Sequence, residues 1–103
     1  MNIINLTPHT ITETITAQSF APSGQVARIR QSSELTDTIN GIMVYTTTYG
    51  AVEGLPEPEE GIIYIVSAMC LAGVEGRTDV VAPGNLLRDE NGQPIGCQGF
   101  RSK

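Results

Sequence analysis

The side chains able to do chemistry are mostly cationic or hydroxylic. The basic residues are five arginines and one lysine. Guanidinium presents a planar fork of donors matched to carboxylate or phosphate, whereas lysine offers a mobile point charge. Arg28, Arg77 and Arg88 each lie beside apolar positions of strand-like segments, and Arg77 and Arg88 each have an aspartate nearby, Asp79 and Asp89. Two roles follow from that placement. An Arg–Asp pair ties a loop to a sheet, and Arg77-x-Asp79 has this as its default reading. An arginine facing a pocket grips an anion, and Arg28 and Arg77 are the candidates. Ser67, ahead of a short helical stretch over Ala68–Val74, is placed to cap it and to help hold phosphate there. Tyr45 and Tyr49 offer a stacking face, while Tyr64, inside an apolar run, reads as core.

Catalysis finds less support. Ser67, His9 and Asp79 have the residue types of a hydrolytic triad, but Ser67 lacks a Gly-x-Ser-x-Gly elbow. The His9 side chain is expected to hydrogen-bond the turn behind Pro8. Glu53, Glu57, Glu59 and Glu60 fall in one Pro- and Gly-bracketed loop, which reads as a solvated acidic segment. Asp89-Glu90-Asn91-Gly92 starts like a calcium loop without its later ligands, and turn chemistry accounts for it. Cys70 and Cys97 lie far apart in apolar surroundings and read as two buried thiols. With no Cys-x-x-Cys and one histidine, no zinc site is expected. No catalytic residue, metal or cofactor is assigned.

The elements that must position these residues are mainly strands. A short apolar segment, Asn2–Leu6, is broken by Thr7-Pro8-His9. Thr10–Thr16 alternates β-branched and other residues, and Gln25–Gln31 places Ala27 and Ile29 on one face with Arg28 and Arg30 on the other. Asn40-Gly41 suits a type I′ turn, predicting a hairpin with arms near Leu35–Ile39 and Ile42–Thr48. Ile62-Ile63-Tyr64-Ile65-Val66 suits a central strand, and Leu86–Arg88 with Gln93–Gly99 a closing hairpin. The expected fold is one domain over residues 1–103, mostly β with one short helix. It forms a small antiparallel sheet or partly open barrel with the helix packed on it.

Composition bounds the answer. A chain of 103 residues, 40% apolar and 17% charged, supports one core and is too apolar for disorder. A net charge of −5 disfavours duplex nucleic acid, and no apolar run is long enough for a membrane helix. The opening residues lack a basic, cleavable leader pattern, so a cytoplasmic location is expected.

A resemblance runs along almost the whole chain. Asn5-Leu6-Thr7-Pro8-His9-x-Ile11 opens it, followed by Pro22-Ser23-Gly24, Ala27-Arg28, Gly54-Leu55-Pro56 and Tyr64-Ile65-Val66-Ser67. Arg77-x-Asp79, Pro83, Arg88-Asp89-x-x-Gly92 and Gly96-Cys97 complete the order. This pattern resembles small proteins encoded by phages, prophages and various bacteria. The resemblance implies a phage or mobile-element context and carries Asn5, Thr7, His9, Arg28, Ser67, Arg77 and Asp79 over as matching positions. Proteins of this kind often act by binding, which leads to two expectations. The first is a non-catalytic protein that sequesters a phosphate-bearing, nucleotide-derived signal of bacterial antiviral defence in the host cytoplasm. A domain this small encloses such a ligand most economically between subunits, so a homo-oligomer is expected. The second is a protein–protein module acting through the acidic 53–60 loop on a host enzyme or a phage assembly.

Overall fold

A computed structural model describes all 103 residues. Eight strands and one helix follow in chain order: β1 Asn2–Asn5, β2 Ile11–Glu13, β3 Gln18–Phe20, β4 Arg28–Ile39, β5 Ile42–Glu53, β6 Ile62–Ile65, α1 Ala68–Ala72, β7 Val80–Arg88 and β8 Pro94–Arg101. Six strands form one sheet in the order β1-β6-β7-β8-β2-β3. Its two edge strands approach each other, and the Asn5 side-chain amide on β1 donates to the Phe20 carbonyl on β3 at 2.9 Å. The sheet therefore nearly closes into a barrel. The β-rich, single-helix architecture expected from the pattern is the one observed.

Strand direction departs from the antiparallel expectation. β6 runs parallel to both its neighbours, β1 and β7, and β2 meets β8 in parallel at Glu13 and Cys97. Only β7–β8 and β2–β3 pair antiparallel within this sheet. For β6 and β7 the cause is the connection through α1, since a strand–helix–strand crossover returns the chain in its original direction. β6 is then the central strand that its unbroken apolar sequence suits, with Tyr64 and Ile65 fully buried.

The helix is shorter than its pattern predicts. Ser67, in an extended conformation, accepts a hydrogen bond from the Cys70 amide at 3.2 Å and so caps it as expected. The helix stops at Ala72, where the Gly73 amide turns back onto the Cys70 and Leu71 carbonyls. Lys103 completes that end, its ammonium reaching the Ala72 and Val74 carbonyls and the Glu75 carboxylate. Cys70 and Leu71 pack into a cluster with Leu6, Ala27, Tyr64, Val66, Val74, Val80 and Ala82. Full burial of a Leu or Val side chain in such a cluster contributes about 1.5–3 kcal/mol. No helix is long and apolar enough to cross a membrane.

The remaining two strands leave the barrel. β4 and β5 are each 12 residues long and form their own two-stranded sheet. Asn40 (φ 50°) and Gly41 (φ 80°) make the tight turn, both in the left-handed region that this turn requires. Strands of this length extend about 40 Å, and the molecule measures 52 × 39 × 23 Å. The arm is longer than the hairpin read from sequence, absorbing most of the separate strand expected over Gln25–Gln31 and the first acid of the 53–60 loop. At its root Ile29 and Val52 pack against the core, whereas nearly every residue farther out is exposed. Gly54 ends the arm at φ +81°, where a Cβ would lie 2.7 Å from the Val26 carbonyl oxygen.

Candidate functional site

The opening motif is a knot of hydrogen bonds. The Asn5 side-chain oxygen accepts from the Thr7 amide at 2.9 Å and the Thr7 hydroxyl at 2.7 Å, while its NH2 donates to the His9 and Phe20 carbonyls. Ser23 binds the Asn5 carbonyl through both its amide and its hydroxyl. Asn5 and Thr7 are buried, and their polar atoms are satisfied within this knot. The motif thus bends the chain from β1 towards β2 and holds the seam of the barrel. His9 contributes its backbone carbonyl rather than its ring. The imidazole makes no hydrogen bond to the turn, contrary to the sequence expectation.

Beneath the knot, the motif, the root of β4 and the start of α1 enclose an open groove of about 330 Å³. Leu6, Ala27, Ile29 and Cys70 form an apolar floor, with Thr7, Arg28, Gln31 and Ser67 around it. Arg28 is exposed here, and its guanidinium has no acceptor within the chain, whereas Arg30 pairs with Glu53 at 2.6 Å and Arg88 donates to the Gly92 carbonyl. The Ser67 oxygen accepts from the Cys70 amide, which leaves its hydroxyl hydrogen able to donate. With five residues, α1 sums few peptide dipoles, so its field adds little to this groove. Three of the seven sequence-selected residues, Thr7, Arg28 and Ser67, therefore share one concavity. Gln31 and Met69 also line it, joined by a 3.3 Å contact from the Gln31 amide nitrogen to the Met69 sulfur, and neither stands out in the sequence.

Arg77 and Asp79 lie elsewhere. The guanidinium donates to both Asp79 carboxylate oxygens at 2.8 Å and to the Pro56 carbonyl at 2.9 Å, with both side chains largely buried. The hydrogen bond from Arg77 holds the Asp79 carboxyl below the usual range, and the same bond raises the arginine further. This pair takes its default role, tying the 54–61 loop to the start of β7. Arg88 does not pair with Asp89, whose side chain instead accepts from the Asn91 and Gln93 amides inside its own turn.

His9 lines a separate cavity of about 530 Å³ with Ile11, Pro83, Leu86, Ile95 and Cys97. Ser67, His9 and Asp79 make no hydrogen bond with one another. Cys70 and Cys97 are both buried and free, and burial pushes the Cys97 thiol up, away from a nucleophilic thiolate. No cluster of three His, Cys, Asp or Glu side chains assembles. On the 53–60 loop, Glu57, Glu59 and Glu60 are exposed and without ion-pair partners, while Glu53 is held by Arg30.

One acid escaped the reading of the sequence. Glu13 is buried at the end of β2, accepting hydrogen bonds from the Thr16 hydroxyl and amide, the Ile15 amide and the Gly99 amide. These donors, the Thr16 hydroxyl first, lower its pKa to about 2. Its available signal was the inward register of a β-strand position. Glu13 joins β2, the following turn and β8, and is a fold residue.

Comparison with protein-family models, curated protein sequences and solved structures finds no match for this chain.

Proposed function

We propose that this chain works by binding rather than by catalysis, taking a small phosphate-bearing, nucleotide-derived molecule into the groove beside Arg28. The observation that carries the reading is that Arg28, an arginine without an acceptor of its own, lines the same groove as Ser67. Guanidinium and hydroxyl supply donors for a phosphate, and the accessible apolar lining of Val26, Ile29 and Met69 accepts a base or ribose face. A concavity of about 330 Å³ suits one nucleotide unit and not a dinucleotide. In the phage or mobile-element context that the sequence resembles, the captured species is a signal of bacterial antiviral defence, and sequestering it requires no chemical step.

Calorimetry and thermal-shift measurements with a panel of cyclic nucleotides and ADP-ribose derivatives test this reading. A ligand at a hundred times its dissociation constant stabilises the fold by about 2.7 kcal/mol. Recovery of that ligand unchanged separates capture from hydrolysis. No response across the panel overturns the proposal.

A second reading rests on Glu57, Glu59 and Glu60, which are exposed and free of ion pairs on a loop stiffened by Pro56 and Pro58. Such a segment would steer a basic protein partner.

A further inference from the structure

Two asparagines of this chain precede a glycine, Asn40-Gly41 at the tip of the β4–β5 arm and Asn91-Gly92 between β7 and β8. An asparagine so placed can cyclise. The next residue's amide nitrogen attacks the side-chain carbonyl carbon, and glycine, without a Cβ, leaves that nitrogen unobstructed. The two sites share this chemistry but differ in their surroundings. At the arm tip Asn40 and Gly41 are exposed, the Gly41 amide has no acceptor, and nothing lies within 4 Å of where a Gly41 Cβ would stand. In the other turn the Gly92 amide donates to the Asp89 carbonyl at 3.0 Å. The Asn91 and Gln93 amides both donate to the Asp89 carboxylate, and Arg88 donates to the Gly92 carbonyl, each at 2.9 Å. The Asn91–Gly92 peptide is therefore held by its own N–H and by both flanking peptides.

We propose that Asn40 is a site of spontaneous deamidation, selected over Asn91 by the geometry of its turn. The inference does not depend on the ligand reading. Cyclisation needs the Asn40–Gly41 peptide to turn over, so that its nitrogen faces the Asn40 side chain. With φ 50° at Asn40 and 80° at Gly41 the tip is a type I′ turn. Rotating its central peptide gives type II′, the other two-residue turn that fits a hairpin. Only Gly41 changes the sign of φ in this flip, and glycine does so without steric penalty. The strands need not move. Solvent hydroxide then takes the Gly41 amide proton and the nitrogen bonds to Asn40 Cγ. The Cγ–Nδ2 bond breaks, and the nitrogen leaves as ammonia with a proton from water. A second water opens the cyclic imide, so that in sum one side-chain amide and one water become a carboxylic acid and ammonia. Opening at Cγ leaves aspartate at position 40. Opening at the main-chain carbonyl leaves isoaspartate, whose extra backbone methylene breaks the two-residue spacing between Ile39 and Ile42. At Asn91 the same flip would have to break the hydrogen bond from Gly92 to Asp89.

Incubation of the full chain at mildly alkaline pH, with both sites followed by peptide mapping and mass spectrometry, tests the proposal. An isoaspartate-specific methyltransferase reports the second product. In the folded chain Asn40 should convert about tenfold faster than Asn91, the ratio expected when one net hydrogen bond holds the slower peptide. In urea the two rates should converge, because both sites are then plain Asn-Gly pairs. Asp89→Ala releases the second turn and should speed Asn91 while leaving the Asn40 rate unchanged, with circular dichroism showing the fold retained. If that variant fails to fold, the folded and urea-unfolded parent chains decide between them. Asn91 reacting as fast as Asn40 in the folded chain overturns the proposal. So does an Asn40 that is inert when folded and reactive in urea, and so does a rate ratio that urea leaves unchanged.

Discussion

Arg77 and Asp79 face each other two residues apart, two guanidinium nitrogens meeting two carboxylate oxygens at 2.8 Å. Asp79 thus occupies the fork that would otherwise be open to an anion. Arg77→Ala should therefore destabilise the fold, by about 3 kcal/mol for one partner removed from a mostly buried pair, while leaving ligand binding intact in the protein that remains folded. Urea unfolding and calorimetry on the same sample check both parts. Loss of binding without loss of stability would return Arg77 to the site.

Arg28→Ala should behave in the opposite way. The side chain is exposed and makes no hydrogen bond or ion pair, so the melting midpoint should not move. Any thermal shift produced by a phosphate-bearing ligand should vanish. Arg28→Lys should recover little of it, because a point charge does not reproduce a bidentate fork.

Ser67→Ala tests two roles at once. Loss of the cap should cost about 1 kcal/mol of stability, and loss of the hydroxyl donor should weaken ligand binding. Ser67→Asp, which can still cap, should restore stability but depress binding of an anion further. The two readouts therefore separate in that variant.

Glu13 sets a pH dependence. Unfolded, its carboxyl titrates near the ordinary 4.5, and in the fold near 2. A folded-state pKa lowered in this way adds stability that is fully present above 4.5 and fades as pH falls through about 2. Asp79, lowered by Arg77, acts in the same direction. Thermal midpoints measured from pH 6 to pH 2 should fall on acidification. Glu13→Gln should start lower at neutral pH and fall less steeply.

Neutralising Glu57, Glu59 and Glu60 to glutamine should leave the fold unchanged, since none of the three takes part in an ion pair. Capture of a basic host protein that depends on these three residues would support the second reading. Capture unaffected by the change would remove the loop from consideration.

Local chemistry made much of this fold legible. Ser67 capped its helix, Asn40-Gly41 turned its hairpin, Tyr64 entered the core and Arg77 paired with Asp79, because each outcome is decided within a few residues. The length of the arm was hidden for a physical reason. Gln31-Ser32-Ser33-Glu34 has no apolar alternation, and a hairpin exposed on both faces needs none. Parallel pairing of β1 with β6 joins segments some sixty residues apart, which no local period reports. The groove is similar: Thr7, Arg28 and Ser67 meet only through the core beneath them, so their types were readable from sequence and their meeting was not.

The strand order also has a temporal consequence. β2 takes its place in the barrel beside β8, and the Glu13 carboxylate waits for the Gly99 amide, 86 residues later. At a synthesis rate of about 5–20 residues per second, that delay is roughly 4–17 s. The arm, built from adjacent segments, can form within about 1–10 µs. On the ribosome the barrel therefore cannot close around β2 until β8 has emerged, and for those seconds the Glu13 carboxylate lacks the Gly99 amide.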